Sequence, residues 1–219
     1  MEARLIERKA VTPSVLELTF ELPEPVDYEP GQFARVTIDG KTWRDYTMID
    51  GTSRQLRFLV DARFGGAGSD FALNSPLGSI VDMTVPKGKF VLHPTPMDKV
   101  FIATGTGLAP FITMAQAALQ QFSNTLVDVL FGCRTRDDDL ASLYLPGKDT
   151  DRLQVDVCLS DDPARDERYW QGYVTDLLAE RHYPPDKTEF YVCGNRQMVE
   201  DVCQMLQRRG IQRIFSEPF

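Results

Sequence analysis

The 219-residue sequence predicts two domains: an antiparallel β-barrel or sandwich over residues 1–98 and an α/β domain with a parallel sheet over residues 99–219. Three observations carry that prediction. The first hundred residues alternate apolar with polar side chains and are punctuated often by Pro and Gly, as short antiparallel strands require. From Lys99 onward, apolar strands alternate with helical stretches, the pattern of a parallel sheet covered on both faces. Between them, Pro94-Thr95-Pro96 marks a break in texture, which places the boundary near 96–99. A chain of this length can bury one large core or two small ones.

In the first half, Val15–Phe20, Phe33–Ile38, Leu56–Val60 and Ile80–Val85 read as strands, and Ser69–Leu73 as a single helical turn. In the second half, strands are expected at Val100–Ala103, Leu126–Phe131, Leu153–Leu159, Glu189–Val192 and Ile211–Phe215. Helices are expected at 110–122, about 172–180 and 196–208. Ligands of such sheets bind outside the carboxyl ends of the strands, where Gly105 and Gly194 fall.

Net charge is −8, with 11 Lys/Arg against 14 Asp/Glu before residue 99 and 13 against 18 after it. Neither half is basic, so a nucleic-acid partner is not expected. Cys133, Cys158, Cys193 and Cys203 form no C-x-x-C pair and no iron–sulfur spacing, and two of them lie in apolar strand-like runs. Reduced, buried thiols in a cytoplasmic protein are expected. His93 and His182 stand apart from any ligand cluster, so no metal site is expected. The opening MEARLIERKA is charged, unlike a signal peptide, and no run approaches ~18 apolar residues, so no membrane span is expected.

Four segments carry chemistry. Phe101–Ala115 reads FIATGTGLAPFITMA, a strand that ends in glycines and leads into a helix. Such a turn presents backbone N–H groups and the positive end of a helix dipole to an anion. Pro110 suits the first helical turn, where its missing N–H removes no helix bond. Alone, this Gly-x-Gly-x-x-Pro turn is equally compatible with a ligand-free connection. Arg44-Asp45-Tyr46-Thr47 begins a strand, with Arg44 and Tyr46 on one face and Thr47 opposite or past a bend. A flavin needs a cation for its phosphate, an aromatic plane and a hydroxyl near N5, although an exposed strand with a surface arginine explains the same residues. Gly65-Gly66-Ala67-Gly68-Ser69 supplies amides and a hydroxyl for a phosphate, or a flexible hairpin loop. Finally, Cys193-Gly194 follows a strand end and Asn195 is an expected N-cap, while Cys193 alone suits a packing thiol.

In this order the segments resemble the ferredoxin–NADP reductase superfamily. Arg-x-Tyr-Ser/Thr is matched by RDYT at 44–47, Gly-x-x-Ser by Gly66–Ser69, and Pro-x-Gly-x-Phe by Pro86–Phe90. Gly-Thr-Gly-x-Ala-Pro is matched at 105–110, Cys-Gly-x-x-x-Met at 193–198 and Glu-x-aromatic at Glu217–Phe219, so the likeness spans essentially the whole chain. It implies a six-stranded FAD-binding barrel followed by an NAD(P)H-binding domain. Arg44 would pair with flavin phosphate, Tyr46 would stack on the isoalloxazine, and Thr47 would hydrogen-bond N5. Ser69 with the Gly66 and Gly68 amides would bind the pyrophosphate, which favours FAD as a held prosthetic group. Gly105, Thr106, Gly107 and Pro110 would face the nicotinamide nucleotide's phosphates. Ser160 and Asp161 would lie toward its adenosine end. Cys193, Gly194 and Met198 would flank the nicotinamide, with Glu217 near flavin N5 and Phe219 covering the flavin face. Thr47, Cys193 and Glu217 are the implied catalytic residues, serving hydride transfer from nicotinamide C4 to flavin N5.

One departure matters. Where NADPH-using members carry Ser-Arg or Thr-Arg, this chain has Ser160-Asp161-Asp162. Carboxylates repel a 2′-phosphate and accept hydrogen bonds from ribose hydroxyls, so NADH is expected over NADPH. Arg134, Arg136 and Arg165 are near enough in sequence to serve NADPH instead. Without an iron–sulfur cysteine set in this sequence, electrons are expected to pass to a separate ferredoxin, flavodoxin or oxygenase, or to a small-molecule acceptor. Alternatives are a free-flavin reductase, or a flavin-binding electron-transfer subunit without its own turnover.

Overall fold

The structure is a computed structural model that describes residues 1–52, 54–63, 65–145, 151–163 and 168–219. Six strands form the first half: β1 (Glu2–Ala10), β2 (Val15–Glu21), β3 (Phe33–Thr37), β4 (Trp43–Thr52), β5 (Gln55–Asp61) and β6 (Ile80–Lys87). They close in the order β1-β2-β5-β4-β3-β6, each neighbouring pair antiparallel. Closure removes the unpaired edges that an open sheet would expose. Leu5, Leu18, Phe20, Met48, Phe58 and Met83 fill the interior. Helix α1 (Ala67–Asn74) lies against it, with Phe71 stacked on Phe20 at 6.4 Å. Burial of one such phenyl ring stabilises by roughly 1.5–3 kcal/mol.

The strand pattern understates how much of β2 is covered. Its alternating sequence, VLELTF, suggests a half-exposed strand, yet all six residues are buried. The outward side chains Val15 and Glu17 meet the second domain rather than water: Val15 joins that domain's core, and Glu17 accepts a 2.6 Å hydrogen bond from Tyr144. Strand β1 was not anticipated, because the charges of MEARLIERKA mask the alternation that buries Ala3 and Leu5.

The second half runs β7 (Asp98–Thr104), a 3-10 turn (Gly105–Leu108), α2 (Ala109–Gln121), β8 (Val127–Cys133), α3 (Leu140–Tyr144) and β9 (Leu153–Leu159). It continues with β10 (Tyr169–Gln171), α4 (Val174–Glu180), β11 (Thr188–Gly194), α5 (Arg196–Arg208) and β12 (Ile214–Pro218). The sheet is parallel, in the order β10-β9-β8-β7-β11-β12. Residues of α2 and α3 pack on one face, toward the barrel, and residues of α4 and α5 on the other. Chain order reverses beside β7, so the ends of β7 and β11 form the crevice in which ligands of open α/β sheets bind.

The predicted strand at Ile211–Phe215 is displaced to Ile214–Pro218. Helix α5 claims the intervening residues: Gly210 takes φ 79° and the Ile211 N–H donates to the Leu206 carbonyl at 3.1 Å, a helix-ending bond. The short elements α3 and β10 were not anticipated either, being too brief to show a period. Among the described residues, no helix is long and apolar enough to cross a membrane.

Candidate functional site

A cleft of about 1440 Å³ runs between the barrel and the carboxyl ends of the parallel strands. On the barrel wall, β4 contributes Arg44, Tyr46 and Thr47. Strict alternation would turn Thr47 away from Tyr46. It lines the same cleft nonetheless, as does Asp45, and the β4–β5 register slips just beyond it between Met48 and Asp50. The Tyr46 hydroxyl is buried without a hydrogen-bond partner, and burial pushes its pKa up to about 12. It points at the glycine-rich loop: a Cβ on Gly68 would stand 3.1 Å from it. A buried hydroxyl left unpaired is costly and calls for a polar ligand group at that spot.

Ser69 and Gly68 line the cleft with Gly65, whereas Gly66 does not. The Ser69 hydroxyl donates to the Gly65 carbonyl at 3.0 Å, so its proton must turn before it can serve a phosphate oxygen. Backbone amides at the start of α1 are the donors already directed outward there.

On the opposite wall the glycine turn is locked to the start of α5. A Cβ on Gly107 would overlap the Cys193 carbonyl, and one on Gly194, whose φ is 139°, would overlap the Thr104 hydroxyl. No other residue type permits both approaches. Thr104 Oγ1 accepts a 3.0 Å hydrogen bond from the Asn195 N–H, while Asn195 Oδ1 caps α5 by accepting from Gln197 and Met198 at 3.0 and 3.3 Å. The helix does not restart directly after the glycines: a 3-10 turn intervenes and Pro110 follows in the first turn of α2. Gly105, Thr106, Pro110, Cys193 and Met198 line the cleft; Gly107 and Gly194 lie behind it and set its shape.

Parallel pairing places Cys193 beside Ala103 on β7 and Glu217 on β12. Cys193 is 4% exposed, and burial followed by the charge of Glu217 pushes its thiol pKa up. It is a neutral, compact wall, not a thiolate nucleophile. Glu217 faces the cleft half-buried, its pKa raised first by burial and then by the neighbouring charge of Asp45. A carboxyl so placed holds its proton to higher pH than usual. Phe219 lines the same wall and is 65% exposed; its N–H donates to the Gly194 carbonyl at 3.1 Å.

At the far end, Ser160 and Arg134 line the cleft and Asp161 stands behind them. Asp161 accepts hydrogen bonds from Arg134 Nε at 2.7 Å and Ser160 Oγ at 2.9 Å, which hold its carboxyl below the usual range. Arg136 Nε likewise donates to Asp162 at 2.8 Å. Two of the three arginines near enough in sequence to serve a 2′-phosphate are thus engaged by carboxylates; Arg165 lies outside the described residues.

Sequence reasoning missed Arg63, Asp138 and Asp45, all of which line the cleft. Arg63 had one signal, a cation just ahead of a glycine-rich loop, and Asp45 lies inside the RDYT stretch; Asp138 reaches the cleft only through packing.

Residues 2–92 match the oxidoreductase FAD-binding domain family and residues 101–204 the oxidoreductase NAD-binding domain family. The chain is 30% identical over 207 residues to a Ralstonia ferredoxin–NAD(P)(+) reductase component of naphthalene 1,2-dioxygenase/salicylate 5-hydroxylase systems, covering 91% of this chain and 62% of that protein. It is 29% identical over 220 residues to ferredoxin–NADP reductase B of Sorangium cellulosum, covering 93% and 90%. The crystal structure of an Amycolatopsis cytochrome P450 reductase superposes with a TM-score of 0.87 at 27% identity, over 100% of this chain and 70% of that one. The chain therefore spans about three fifths of the Ralstonia relative's length. Its barrel with an unpaired tyrosine hydroxyl, its glycine turn at the strand-order reversal and both family matches have one explanation: the chain belongs to the ferredoxin–NADP reductase-like superfamily of oxidoreductases, with an FAD-binding domain followed by an NAD-binding domain.

Proposed function

We propose that this chain is an FAD-dependent reductase that takes hydride from NADH in preference to NADPH and passes electrons to a separate carrier. The carrier is a ferredoxin, a flavodoxin or an oxygenase component. One observation carries the reading. The Tyr46 wall with its orphaned hydroxyl and the Cys193–Glu217 wall face a single cleft, so two flat rings can be held between them. When bound, FAD supplies acceptance of hydride at N5 and its release as single electrons or a pair.

The chain's own residues orient and screen that exchange. Arg44 and the loop at Gly68 and Ser69 would hold flavin phosphates, Tyr46 would back the ring, and Thr47 would supply a hydroxyl at its reactive edge. Gly105 and Thr106, with the start of α2 at Pro110, hold the nicotinamide nucleotide's phosphates, and Gly107 behind them sets the shape of the turn. Cys193 and Met198 would form a flat, neutral seat for the nicotinamide, with Gly194 behind them letting β11 close on the glycine turn and orientation of the two rings as its result. Glu217 sets a half-buried carboxyl of raised pKa beside the reacting edge, and Phe219 covers the flavin face until the nicotinamide displaces it. Asp161 and Ser160 accept from and donate to ribose hydroxyls, and the carboxylate repels a 2′-phosphate. On this reading residues 1–98 are the flavin unit and 99–219 the nucleotide unit.

Purification tests the cofactor half of the proposal. A yellow protein that releases FAD on denaturation is expected; a colourless protein that reduces added riboflavin would make it a free-flavin reductase instead.

A further inference from the structure

Barrel strand β2 meets helix α3 along the seam between the two walls. Val15 and Leu140 both line the cleft there. Two residues further along β2, on the same face, is Glu17; four residues further along α3, on the same face, is Tyr144. Glu17 is 7% exposed, so its carboxylate must find its partners in protein rather than water. Its Oε2 accepts from the Tyr144 hydroxyl at 2.6 Å, and its Oε1 accepts from Arg57 Nη1 at 3.3 Å. The first length is that of a charge-assisted bond, roughly twice as strong as a neutral one. Burial, and then the bond to Glu17, push the Tyr144 pKa up and keep its hydroxyl the donor. A neighbouring pair across the seam, Ser14 Oγ to Asp138 Oδ1, is 3.5 Å long and contributes little.

Helix α3 has five residues, too few to hold a helix by themselves, and it is pinned at both ends. At its start Asp139 Oδ1 accepts from the Ser142 N–H at 2.9 Å; at its end Tyr144 is tied to the barrel. Its Leu140 shares one core with Leu108, the last residue of the 3-10 glycine turn, against which α3 packs. The helix is therefore a strut between a barrel strand and the turn that faces the nucleotide. Hydride transfer needs its reacting atoms about 3–3.5 Å apart, and a misplacement near 1 Å costs about 100-fold. Each ligand fixes only its own wall. The spacing between the walls has to be set by contacts behind the cleft.

We propose that Glu17 and Tyr144 are positioning residues for hydride transfer: their hydrogen bond holds α3, and through it the glycine turn, against β2 at the spacing that lets nicotinamide and flavin stack. The proposal rests on the reductase reading.

FAD-loaded Tyr144→Phe tests it, because this change keeps the ring and removes one hydroxyl. Flavin reduction by saturating NADH in a single turnover slows by about 10- to 100-fold. In steady state with ferricyanide as acceptor, kcat falls with little change in KM. FAD content and calorimetric ADP-ribose affinity stay at their wild-type values. The change in flavin absorbance produced by saturating NAD+, which reads ring stacking, shrinks. Glu17→Leu behaves as Tyr144→Phe does, and the double variant adds no further loss. Glu17→Gln, which keeps an acceptor oxygen, recovers most of the rate. A Tyr144→Phe protein with wild-type reduction rate and wild-type NAD+ absorbance change would overturn the proposal. So would ADP-ribose affinity that falls in step with the rate, which makes α3 part of the nucleotide site, or loss of bound FAD, which makes the bond structural only. Wild-type protein whose flavin is reduced by neither NADH nor NADPH contradicts the reductase reading alone, because the NAD+ absorbance change still compares the variants.

Discussion

Glu217 shows how one residue's surroundings set its chemistry. Burial and the Asp45 charge raise its pKa, so the folded state binds its proton more tightly than the unfolded chain does. Its contribution to stability is therefore present below the unfolded-state pKa and lost as pH rises through the folded-state value. Glu217→Gln should raise the melting temperature at pH 7–8, and the gain should vanish below about pH 4, where both forms are neutral. An unchanged melting temperature at pH 8 would show that Glu217 ionises without cost. Specificity is also a single-residue matter. Asp161 is held by Arg134 and Ser160, and replacing it by arginine both removes the repulsive carboxylate and adds a phosphate partner. Asp161→Arg should raise kcat/KM for NADPH relative to NADH by about tenfold or more, a change of ~1.4 kcal/mol. An unaltered ratio would remove Asp161 from the specificity site. That Arg44, Tyr46, Thr47, Cys193 and Glu217 meet at one cleft was legible in the sequence, because short motifs mark them. Arg63 and Asp138 were not, because they approach each other only when two domains pack, a distance no local pattern encodes.

Among the elements, the glycine turn and the end of β11 act as one piece. Gly107 sits against the Cys193 carbonyl, so Gly107→Ala must shift the end of β11, where the proposed nicotinamide seat lies. Overpacking of this kind costs roughly 1–3 kcal/mol. The variant should keep its flavin, melt at a lower temperature, and show a raised KM for NADH with a lowered kcat. Normal NADH kinetics would mean that the turn is only a connection. Helix ends were readable for local reasons: Asn195 caps α5 and Pro110 opens α2. Strand ends were less so. Ile211 has strand character but is recruited to end α5, and Glu17 lies on the outward face of β2 yet is buried beneath Tyr144. In each case a neighbouring element, not the segment itself, decides the outcome.

At the scale of the molecule, polar contacts join the halves and brace the parallel sheet against the connecting segment. Tyr144 reaches Glu17 near the cleft. On the other side, the fully buried Lys99 donates to Glu189 at 2.8 Å and to Thr95 Oγ1 of the connecting segment at 2.8 Å. A buried pair adds little net stability, but breaking it leaves a bare charge. Lys99→Met should destabilise by about 3–5 kcal/mol, and Lys99→Met with Glu189→Leu should recover much of that loss in denaturant unfolding. Arg213, 3.4 Å from Glu189, softens the single variant's cost but is left unpaired in the double. The two-domain architecture was legible from the change of period near residue 98, whereas the contacts that join the domains, such as Tyr144 to Glu17, were not. The central claim is that the cleft lets NADH reduce a flavin held against Tyr46. Anaerobic titration of the purified protein with NADH and NADPH separately tests it most directly. The account predicts bleaching of the flavin band near one equivalent of NADH, with slower or weaker bleaching by NADPH; a flavin band unmoved by either nucleotide would contradict it.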